Sequence, residues 1–509
     1  MKNILEYLEA TASEHPDKTA FSDGESAISF GELLSLSRAG GSKLLSRGAR
    51  TGGKPVAVFM KKCPQTIAAF FAVTYAGCCY VPLEMGLPMH RVRKILEKIS
   101  PEIIICDDSS AEKCAEFGYG KEILPVEELF SGTSGDELGA VRAQSIDIDP
   151  VYIVFTSGST GEPKGVTACH RSLIDYASSL CPVLGAGPES VFAMQVPLYV
   201  DACMKEILSA IKCGSTVYLM QQSLFMSPLK VLDFLNRYKI NTISWVASAL
   251  TLVSGLGAFE EGSPESLRTI CFGSEVFPVK QLKAWQKACP EARFVNLYGP
   301  TECTGMSFYY EVDRSFEESE IIPVGRPFDN TAFMLLKEDD SLAEAGEVGE
   351  ICIRGTAVTL GYYDDPERTA AVFTQNPLNP HYPEIIYRTG DLGRLNEKGE
   401  LLFVSRKDSQ IKNMGHRIEL GEIEVNCNML PGIKLCGCIY DQVKGKIALY
   451  YTGDLEPKEV TVALKEKLPR YMIPNYVRSL EEMPLTANGK INRVALKQKY
   501  EDEGKKETK

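Results

Sequence analysis

The sequence lacks a hydrophobic run long enough to span a bilayer, and it carries no excess of basic residues. Its most apolar stretch, residues 67–81, contains Thr74 and Gly77. That stretch is shorter than the roughly 20 residues that a membrane helix needs. A net charge of −12 lacks the basic footprint of a nucleic-acid-binding protein. Residues 1–21 are amphipathic and acidic rather than signal-like. We therefore expect a cytoplasmic protein without membrane insertion or a nucleic-acid partner.

Paired cysteine spacings are also missing. The 16 cysteines are scattered, as in Cys78-Cys79 and Cys436-Gly437-Cys438, and none forms the CxxC pairs of a zinc site. Free, buried thiols in a reducing compartment are the expected state. The sequence shows no repeats, and its 44% hydrophobic and 24% charged residues are ordinary for a globular protein. At 509 residues the chain exceeds one hydrophobic core, so two or more domains are expected.

Short apolar runs alternate with helical patterns over the first 200 or so residues. Residues 56–59, 103–106 and 152–155 are rich in β-favouring side chains, whereas residues 65–76 have the pattern of a helix. Ser29 stands where it can cap a helix that follows a strand. Strands that alternate with helices predict a parallel, doubly wound α/β architecture.

A loop of small and hydroxyl-bearing residues follows the strand at residues 152–155. Glycines let the backbone approach a ligand, and hydroxyls and bare N–H groups suit phosphate oxygens. The common nucleotide loop is excluded because Gly165 follows Lys164, so no helix begins at the lysine. A mobile surface loop is the alternative. The candidate phosphate-binding residues are Thr156, Ser157, Gly158, Ser159, Thr160, Gly161 and Lys164.

This loop and several further motifs resemble, in sequence and order, those of the adenylate-forming superfamily. That superfamily includes acyl-CoA synthetases, peptide-synthetase adenylation domains and luciferases. The resemblance covers about residues 20–495, with two departures, since Ser274 and Ser405 stand where the family usually has glycine. The other matching segments are residues 77–82, 296–302 (NLYGPTE), 349–355, 361–363 (GYY), 387–392 (YRTGDL), 405–424 and 485–493 (LTANGKINR).

The resemblance implies an α/β fold in two parts. Residues 1–407 would form a large N-terminal domain of doubly wound α/β subdomains with a β-barrel-like part. Residues 408–409, with Asp408, would be the hinge to a small, mobile α+β domain at residues 410–498. The charged residues 499–509 are expected to be a disordered tail.

The resemblance also implies a reaction that uses ATP and Mg²⁺ to convert a carboxylate into an acyl-AMP. Two anions must approach each other, so the site must cancel negative charge. Lys490 would bridge the substrate carboxylate and the α-phosphate, and Thr301 would hydrogen-bond a phosphate. Glu302 would be catalytic and would hold Mg²⁺ through its oxygens.

Four further residues would hold the nucleotide. Asp391 offers two acceptor oxygens to the vicinal ribose hydroxyls. Tyr298 can stack on the purine, and Gly299 forms the turn that follows it. The nucleotide-binding set implied by the resemblance is Tyr298, Gly299, Asp391 and Arg406.

Asp201 lies among apolar residues, and two interpretations stay open. It can cap a helix, or it can pair with the α-amino group of an amino-acid substrate, as the resemblance to amino-acid-activating domains implies. Lys205 favours an acidic substrate side chain, unless it points to solvent or pairs with Glu206 or another carboxylate. The pocket implied by the resemblance comprises Asp201, Ala202, Lys205, Ser244, Cys271, Gly273, Leu297, Gly305 and Met306.

The chain length and the sequence of residues 275–280 also resemble those of D-alanine–carrier protein ligases. Those enzymes have cysteine at the place of Gly273 and an apolar residue at the place of Lys205, so D-alanine, another small amino acid and an acidic one all remain candidate substrates. No phosphopantetheine attachment pattern follows Lys490, so the expected acceptor is the phosphopantetheine thiol of a separate carrier protein. An acyl-CoA ligase and a non-catalytic nucleotide sensor are the alternatives.

Overall fold

The computed structural model describes residues 1–117, 122–158, 162–408, 410–485 and 491–507. The chain divides into two compact units. The first comprises Met1–Met85, Leu96–Phe155 and Gly165–Lys407, and the second comprises Gly86–Ile95, Thr156–Lys164 and Asp408–Lys509. The predicted fold class, mixed α/β with a larger N-terminal and a smaller C-terminal part, is confirmed.

The helices before residue 408 include those that the hydrophobic patterns predict. Ser29 caps α2 through a capping box, because its Oγ accepts from the Glu32 amide (3.2 Å) while Glu32 Oε2 accepts from the Ser29 amide (2.8 Å). The α-helices are α1 (Leu5–Glu14), α2 (Phe30–Ser46), α3 (Pro64–Tyr75), α4 (Met89–Ile99), α5 (Ala111–Glu116), α6 (Val126–Leu129), α7 (Glu137–Gln144), α8 (His170–Leu184), α9 (Met204–Cys213), α10 (Pro228–Arg237), α11 (Ala247–Gly255), α12 (Ala258–Glu261), α13 (Val279–Ala288) and α14 (Pro366–Val372).

Three sheets are built from the strands before residue 408. These strands are β1 (Thr19–Ser22), β2 (Ala27–Ser29), β3 (Val56–Phe59), β4 (Tyr80–Pro82), β5 (Ile103–Cys106), β6 (Glu122–Pro125), β7 (Pro150–Thr156), β8 (Lys164–Cys169), β9 (Val191–Met194), β10 (Thr216–Leu219), β11 (Thr242–Val246), β12 (Thr269–Gly273), β13 (Arg293–Tyr298), β14 (Phe308–Glu311), β15 (Arg326–Pro327), β16 (Thr331–Leu336), β17 (Gly349–Gly355), β18 (Phe373–Gln375), β19 (Ile385–Leu395) and β20 (Leu401–Arg406).

Two of these sheets have parallel centres, as the alternation of strands and helices predicts. The first has the order β6-β5-β3-β4-β7-β8, and the second has the order β15-β14-β13-β12-β11-β9-β10-β1-β2. Strands β9 to β13 run parallel and are buried among helices, with Trp245 and Trp285 almost fully enclosed. Parallel sheets need helices on both faces, which explains their near-continuous apolar strands.

The third sheet is antiparallel, with β16, β17, β19 and β18 in order and β20 paired to β19. It corresponds to the β-barrel-like part that the resemblance implies. Ser405 lies within β20, opposite Leu392, so no tight turn occurs where the family usually has glycine. An extended backbone accepts any L-residue, and serine is accommodated at this position without strain.

The second unit contains a hairpin and a three-stranded sheet. Its elements are β21 (Gln410–Asn413), β22 (His416–Glu419), α15 (Leu420–Asn428), β23 (Ile433–Asp441), β24 (Lys446–Gly453), α16 (Pro457–Lys467), β25 (Tyr476–Ser479) and α17 (Arg493–Glu507). Strands β23 and β24 are antiparallel, and β25 joins β24 in parallel. The core of this unit lies between the sheet and helices α15 and α16.

The expected disordered tail is wrong for the residues up to Glu507, because α17 continues through them. Tyr500 is buried and packs edge-on against Tyr476, with ring centroids 5.5 Å apart. Glu503 accepts hydrogen bonds from the hydroxyls of Tyr450 (3.0 Å) and Tyr476 (2.8 Å). A charged composition predicts disorder only when no such partners are available.

The predicted state of the cysteines is confirmed, since all 16 are free thiols. All are buried except Cys213, which is partly exposed at the C-terminal end of α9. Among the described residues, none of the helices combines the length and the apolar character that crossing a membrane requires.

Candidate active site

Three of the predicted nucleotide-binding residues lie together in the first unit. Asp391 on β19 stands opposite Arg406 on β20, and Tyr298 ends β13. Arg406 Nη1 donates to Asp391 Oδ1 at 2.5 Å, and the Tyr298 hydroxyl donates to Asp391 Oδ2 at 2.5 Å. Burial and the neighbouring Asp391 carboxylate raise the pKa of Tyr298 well above its usual value. The carboxylate is therefore held in one orientation by two donors.

Glu302 lies in a short 3₁₀ turn, Thr301–Cys303, directly after β13. Gly299 permits the close turn before it, since a Cβ there would lie 2.2 Å from the Gly305 carbonyl oxygen. Glu302 is fully buried, and its Oε1 accepts a hydrogen bond from the Tyr362 hydroxyl at 2.7 Å. Its backbone oxygen also accepts from the Thr359 amide at 3.0 Å.

The chemistry of Glu302 fits the Mg²⁺ that the family implies. Carboxylate oxygens are the ligands that Mg²⁺ takes in proteins, commonly one or two together with water and phosphate oxygens. No cluster of three or more His, Cys, Asp or Glu that could hold a metal occurs among the residues described here. Glu302 would hold the ion jointly with the phosphates of ATP, and Tyr362 would orient its carboxylate.

Tyr362 also connects Glu302 to strand β8, which leaves the predicted phosphate-binding loop. The Thr167 amide donates to the Gly361 oxygen at 3.0 Å, and the Tyr363 amide donates to the Gly165 oxygen at 2.7 Å. The sequence indicates the segment 361–363 as a family motif but assigns it no role. Its role as the support of Glu302 emerges only from the structure.

The predicted phosphate-binding loop is described only in part. Within the second unit, Ser157 is buried, and its Oγ donates to the backbone oxygen of Arg417 at 2.6 Å. Thr156 Oγ1 lies 3.5 Å from the backbone oxygen of Lys164, which begins β8. Phosphate binding by this loop stays a prediction. The predicted site residues that lie outside the described ranges are Ser159, Thr160, Gly161 and Lys490.

Four of the predicted pocket residues lie on one face of the nine-stranded sheet. Ser244 on β11 is in register with Cys271 on β12, and Gly273 on β12 is in register with Leu297 on β13. Residues two apart on a strand share a face, so these side chains point the same way. A Cβ at Gly273 would lie 2.2 Å from the Leu297 oxygen, so this backbone leaves no room for a side chain at that position.

Asp201 lies next to this face, at the start of a 3₁₀ turn, Asp201–Cys203. The helix-cap interpretation is wrong, because α9 begins only at Met204 and its N-cap is Cys203. Asp201 is 9% exposed, and a Cβ at Gly305 would be 3.6 Å from its Oδ2. Gly305 adopts φ +88° and places no side chain of its own against this side of the carboxylate. The flanking pocket residues are Ala202, which is half-buried, and Met306, which is buried.

Lys205 is 3% exposed, so the solvent-facing interpretation is wrong. Its charge acts on Glu206 and on the Cys271 thiol, which places it beside the pocket face. Among the residues that the structure describes, no hydrogen bond or ion pair of the Lys205 ammonium is found. A buried ammonium strongly favours a counter-charge.

Three residues around this pocket carry no sequence signal that would have placed them there. Tyr176 on α8 lies near Asp201, since a Cβ at Gly305 would be 3.2 Å from the Tyr176 hydroxyl. Glu206 follows Lys205 on α9 and is fully buried. Lys62 lies between β3 and α3 in a segment whose pattern indicates only the start of a helix.

Comparison with known proteins agrees with these motifs. The AMP-binding enzyme family matches residues 8–363. The L-proline–[L-prolyl-carrier protein] ligase of Streptomyces coelicolor is 30% identical, over 96% of this chain and 95% of the relative. Tyrocidine synthase 1 of Brevibacillus parabrevis is 29% identical over 97% of this chain, which spans 45% of that protein.

A solved structure is also similar to this chain in fold and in sequence. An NRPS protein containing adenylation and PCP domains, bound to a vinylsulfonamide inhibitor, superposes with a TM-score of 0.83 and 25% identity. The match covers 98% of this chain and 84% of that one. The chain therefore belongs to the AMP-binding enzymes of the adenylate-forming superfamily, and it is an AMP-forming ligase similar to amino-acid-activating enzymes.

Proposed function

We propose that this ligase activates an amino acid with an acidic side chain as its aminoacyl-AMP and then passes it to the phosphopantetheine thiol of a separate carrier protein. The amino-acid class and the carrier are supported by similarity to the proline–carrier protein ligase and to a structure with adenylation and PCP domains. The acidic side chain is supported by one observation above all, the buried Lys205 ammonium without a hydrogen-bond partner among the described residues.

The pocket offers one charge for the α-ammonium and one for the side-chain carboxylate of such a substrate. The Asp201 carboxylate, on the side that faces Gly305, would pair with the α-ammonium. Lys205, on the adjoining turn of α9, would pair with the side-chain carboxylate. The pairing with Lys205 would satisfy a charge that burial otherwise penalises. Removing one partner of a buried pair costs about 3–5 kcal/mol.

In the first step, an oxygen of the substrate α-carboxylate would form a bond to the α-phosphorus of ATP, and pyrophosphate would leave. Lys490 would lie between the two anions, and Asp391 would hold the ribose. Glu302 and the phosphates would hold Mg²⁺, which would supply further positive charge when bound. Positioning and charge stabilisation account for catalysis of this kind. In the second step, the carrier thiol would lose its proton to solvent and its sulfur would bond to the acyl carbon. The bond from that carbon to the phosphate oxygen would break and AMP would leave, with Asp408 as the proposed hinge between the two steps.

ATP–pyrophosphate exchange over a panel of L- and D-amino acids tests the proposal. Aspartate or glutamate should give the strongest exchange, and Lys205→Met should shift the preference toward small apolar amino acids. Lys212→Met, on the same helix but with its ammonium 3.1 Å from the Ser178 hydroxyl near the surface, is the matched control and should leave the preference unchanged. Exchange with D-alanine but with neither acidic amino acid would refute the acidic substrate.

Carrier transfer is tested separately, by offering the enzyme a phosphopantetheinylated carrier protein or CoA after adenylation. A thioester on the carrier is expected. Formation of aminoacyl-CoA in its place would assign the enzyme to the acyl-CoA ligases instead.

A further inference from the structure

A second lysine, Lys62, lies in the first unit within the electrostatic reach of Glu206 and Cys203. The Lys62 residue is half-buried, but its ammonium donates to three backbone carbonyls, those of Met194 (2.7 Å), Gln195 (3.2 Å) and Met220 (3.0 Å). Met194 ends β9 and Met220 follows β10, so the ammonium is fixed where two parallel strands end. Burial lowers the pKa of Lys62 to about 7, although the Glu206 carboxylate opposes this.

Glu206 is the acidic counterpart of this lysine. It is 0% exposed, and neither of its carboxylate oxygens has a hydrogen-bond partner among the described residues. Burial raises its pKa to about 7, and the positive charges of Lys205 and Lys62 oppose that shift. A buried carboxylate without hydrogen bonds is costly, so its position beside two lysines calls for an explanation.

Four ionisable side chains therefore share one buried region. Burial raises the pKa of the Cys203 thiol, Glu206 and Asp201 raise it further, and Lys205 and Lys62 oppose that shift, so the thiol lies within the field of all four. In formal charge, the two carboxylates and the two ammonium groups sum to zero. A substrate ammonium and side-chain carboxylate would preserve that balance, whereas a neutral side chain would leave one positive charge without a partner.

We propose that Glu206 and Lys62 are positioning residues that set how much of the Lys205 charge is offered to the substrate. Glu206 attracts Lys205 away from the substrate, and Lys62, fixed by its three carbonyls, weakens that attraction by attracting Glu206 itself. The pair thus determines selectivity between acidic and neutral amino acids without touching the substrate. The inference rests on the proposed function, since it requires an amino-acid side chain beside Lys205.

Substitutions at Glu206 and at Lys62 should change the selectivity between acid and amide substrates in opposite directions. In Glu206→Gln, the buried carboxylate that competes with the substrate for the Lys205 charge is lost, so the ratio of kcat/KM for aspartate over asparagine, and for glutamate over glutamine, should rise about tenfold. In Lys62→Met, Glu206 retains only Lys205, so the same ratios should fall by about tenfold. Lys62→Arg keeps the positive charge and should keep the wild-type ratios.

ATP–pyrophosphate exchange measures these ratios on the full-length enzyme, with thermal unfolding as the check on folding. Lys61→Met is the matched control, because Lys61 precedes Lys62 in the chain but its side chain is exposed. This substitution should change neither ratio. A purely structural role would lower kcat/KM for acid and amide substrates equally and leave the ratios constant. If Lys62→Met does not fold, Glu206→Gln decides alone, because an unchanged or lower ratio overturns the inference.

The two proposals fail in different ways. The proposed function fails on the wild-type enzyme, if it prefers neutral amino acids. The further inference fails on the variants, if the acid-to-amide ratios do not move in opposite directions, whichever substrate the wild type prefers.

Discussion

Ser274 and Ser405 both stand where the family resemblance implies glycine, yet their backbones differ. Ser274 has φ 65°, in the left-handed region that favours glycine. Ser405 lies in strand β20, where the extended backbone accepts any L-residue without strain. The same sequence departure therefore carries strain at one position and none at the other.

Ser274→Gly should stabilise the protein by about 1 kcal/mol, because a left-handed backbone costs a residue with a Cβ about that much. Ser405→Gly is the matched control and should destabilise it by about 0.5–1 kcal/mol, as glycine does inside a strand. Urea unfolding of both variants measures the difference. Equal effects of the two substitutions would contradict the assignment of strain to Ser274.

Asp391→Asn should raise the KM for ATP about tenfold, since a hydrogen bond to a charged group contributes about 1.5–3 kcal/mol. Asparagine keeps the side-chain size but offers one acceptor oxygen to Arg406, Tyr298 and the ribose together. Asp313→Asn is the control, because Asp313 also accepts from a tyrosine, Tyr310 at 3.1 Å, but on the exposed surface. An unchanged ATP dependence in Asp391→Asn would show that the ribose lies elsewhere.

At the scale of single elements, helix α17 is held by few side chains. Tyr500→Ala should destabilise the second unit by about 2–4 kcal/mol, because it removes a buried aromatic ring from the contact with Tyr476. Val494→Ala, at a position 81% exposed on the same helix, should have no measurable effect. Hydrogen exchange should show faster opening of β24 and β25 in Tyr500→Ala. Unchanged protection there would mean that α17 does not support the sheet.

Elements that depend on residues adjacent in the chain could be predicted from the sequence. Elements that depend on contacts between distant residues could not. Strands β3 and β5 and the cap at Ser29 depend on residues adjacent in the chain, and the structure confirms them. Helix α17 depends on tyrosines of two distant strands, so its composition alone indicated disorder. The cluster of Lys62 and Glu206 joins positions more than a hundred residues apart, and no spacing rule reaches that far. The family motifs placed Asp391 with Tyr298, but not Tyr362 against Glu302.

For the whole molecule, two buried histidines predict a loss of stability in mild acid. Burial lowers the pKa of His170, whose Nδ1 accepts from the Ile4 amide at 3.2 Å, to about 3, and burial lowers that of His416 to about 4. Both are neutral in the folded protein, whereas unfolded histidine titrates near 6.5. Their contribution is therefore complete above pH 6.5 and falls by about 1.4 kcal/mol per histidine per pH unit below it.

Urea unfolding at pH 7.5, 6 and 5 measures this slope. His416→Phe keeps the stack on Tyr471, whose ring centroid lies 3.8 Å away, and should flatten the slope for the second unit. His381→Phe, at an exposed position, should not. A slope that is identical in wild type and His416→Phe would show that His416 titrates normally in the folded protein.

The distribution of thiols gives this protein a built-in labelling site. Fifteen of the 16 cysteines are enclosed, and only Cys213 is partly exposed. A hydrogen bond with the Cys181 thiol also lowers its pKa, which favours the reactive thiolate. A maleimide fluorophore at low stoichiometry should therefore attach at the end of α9, the helix that begins beside Asp201 and carries Lys205. Without any engineered cysteine, the emission of that dye would report on occupancy of the pocket.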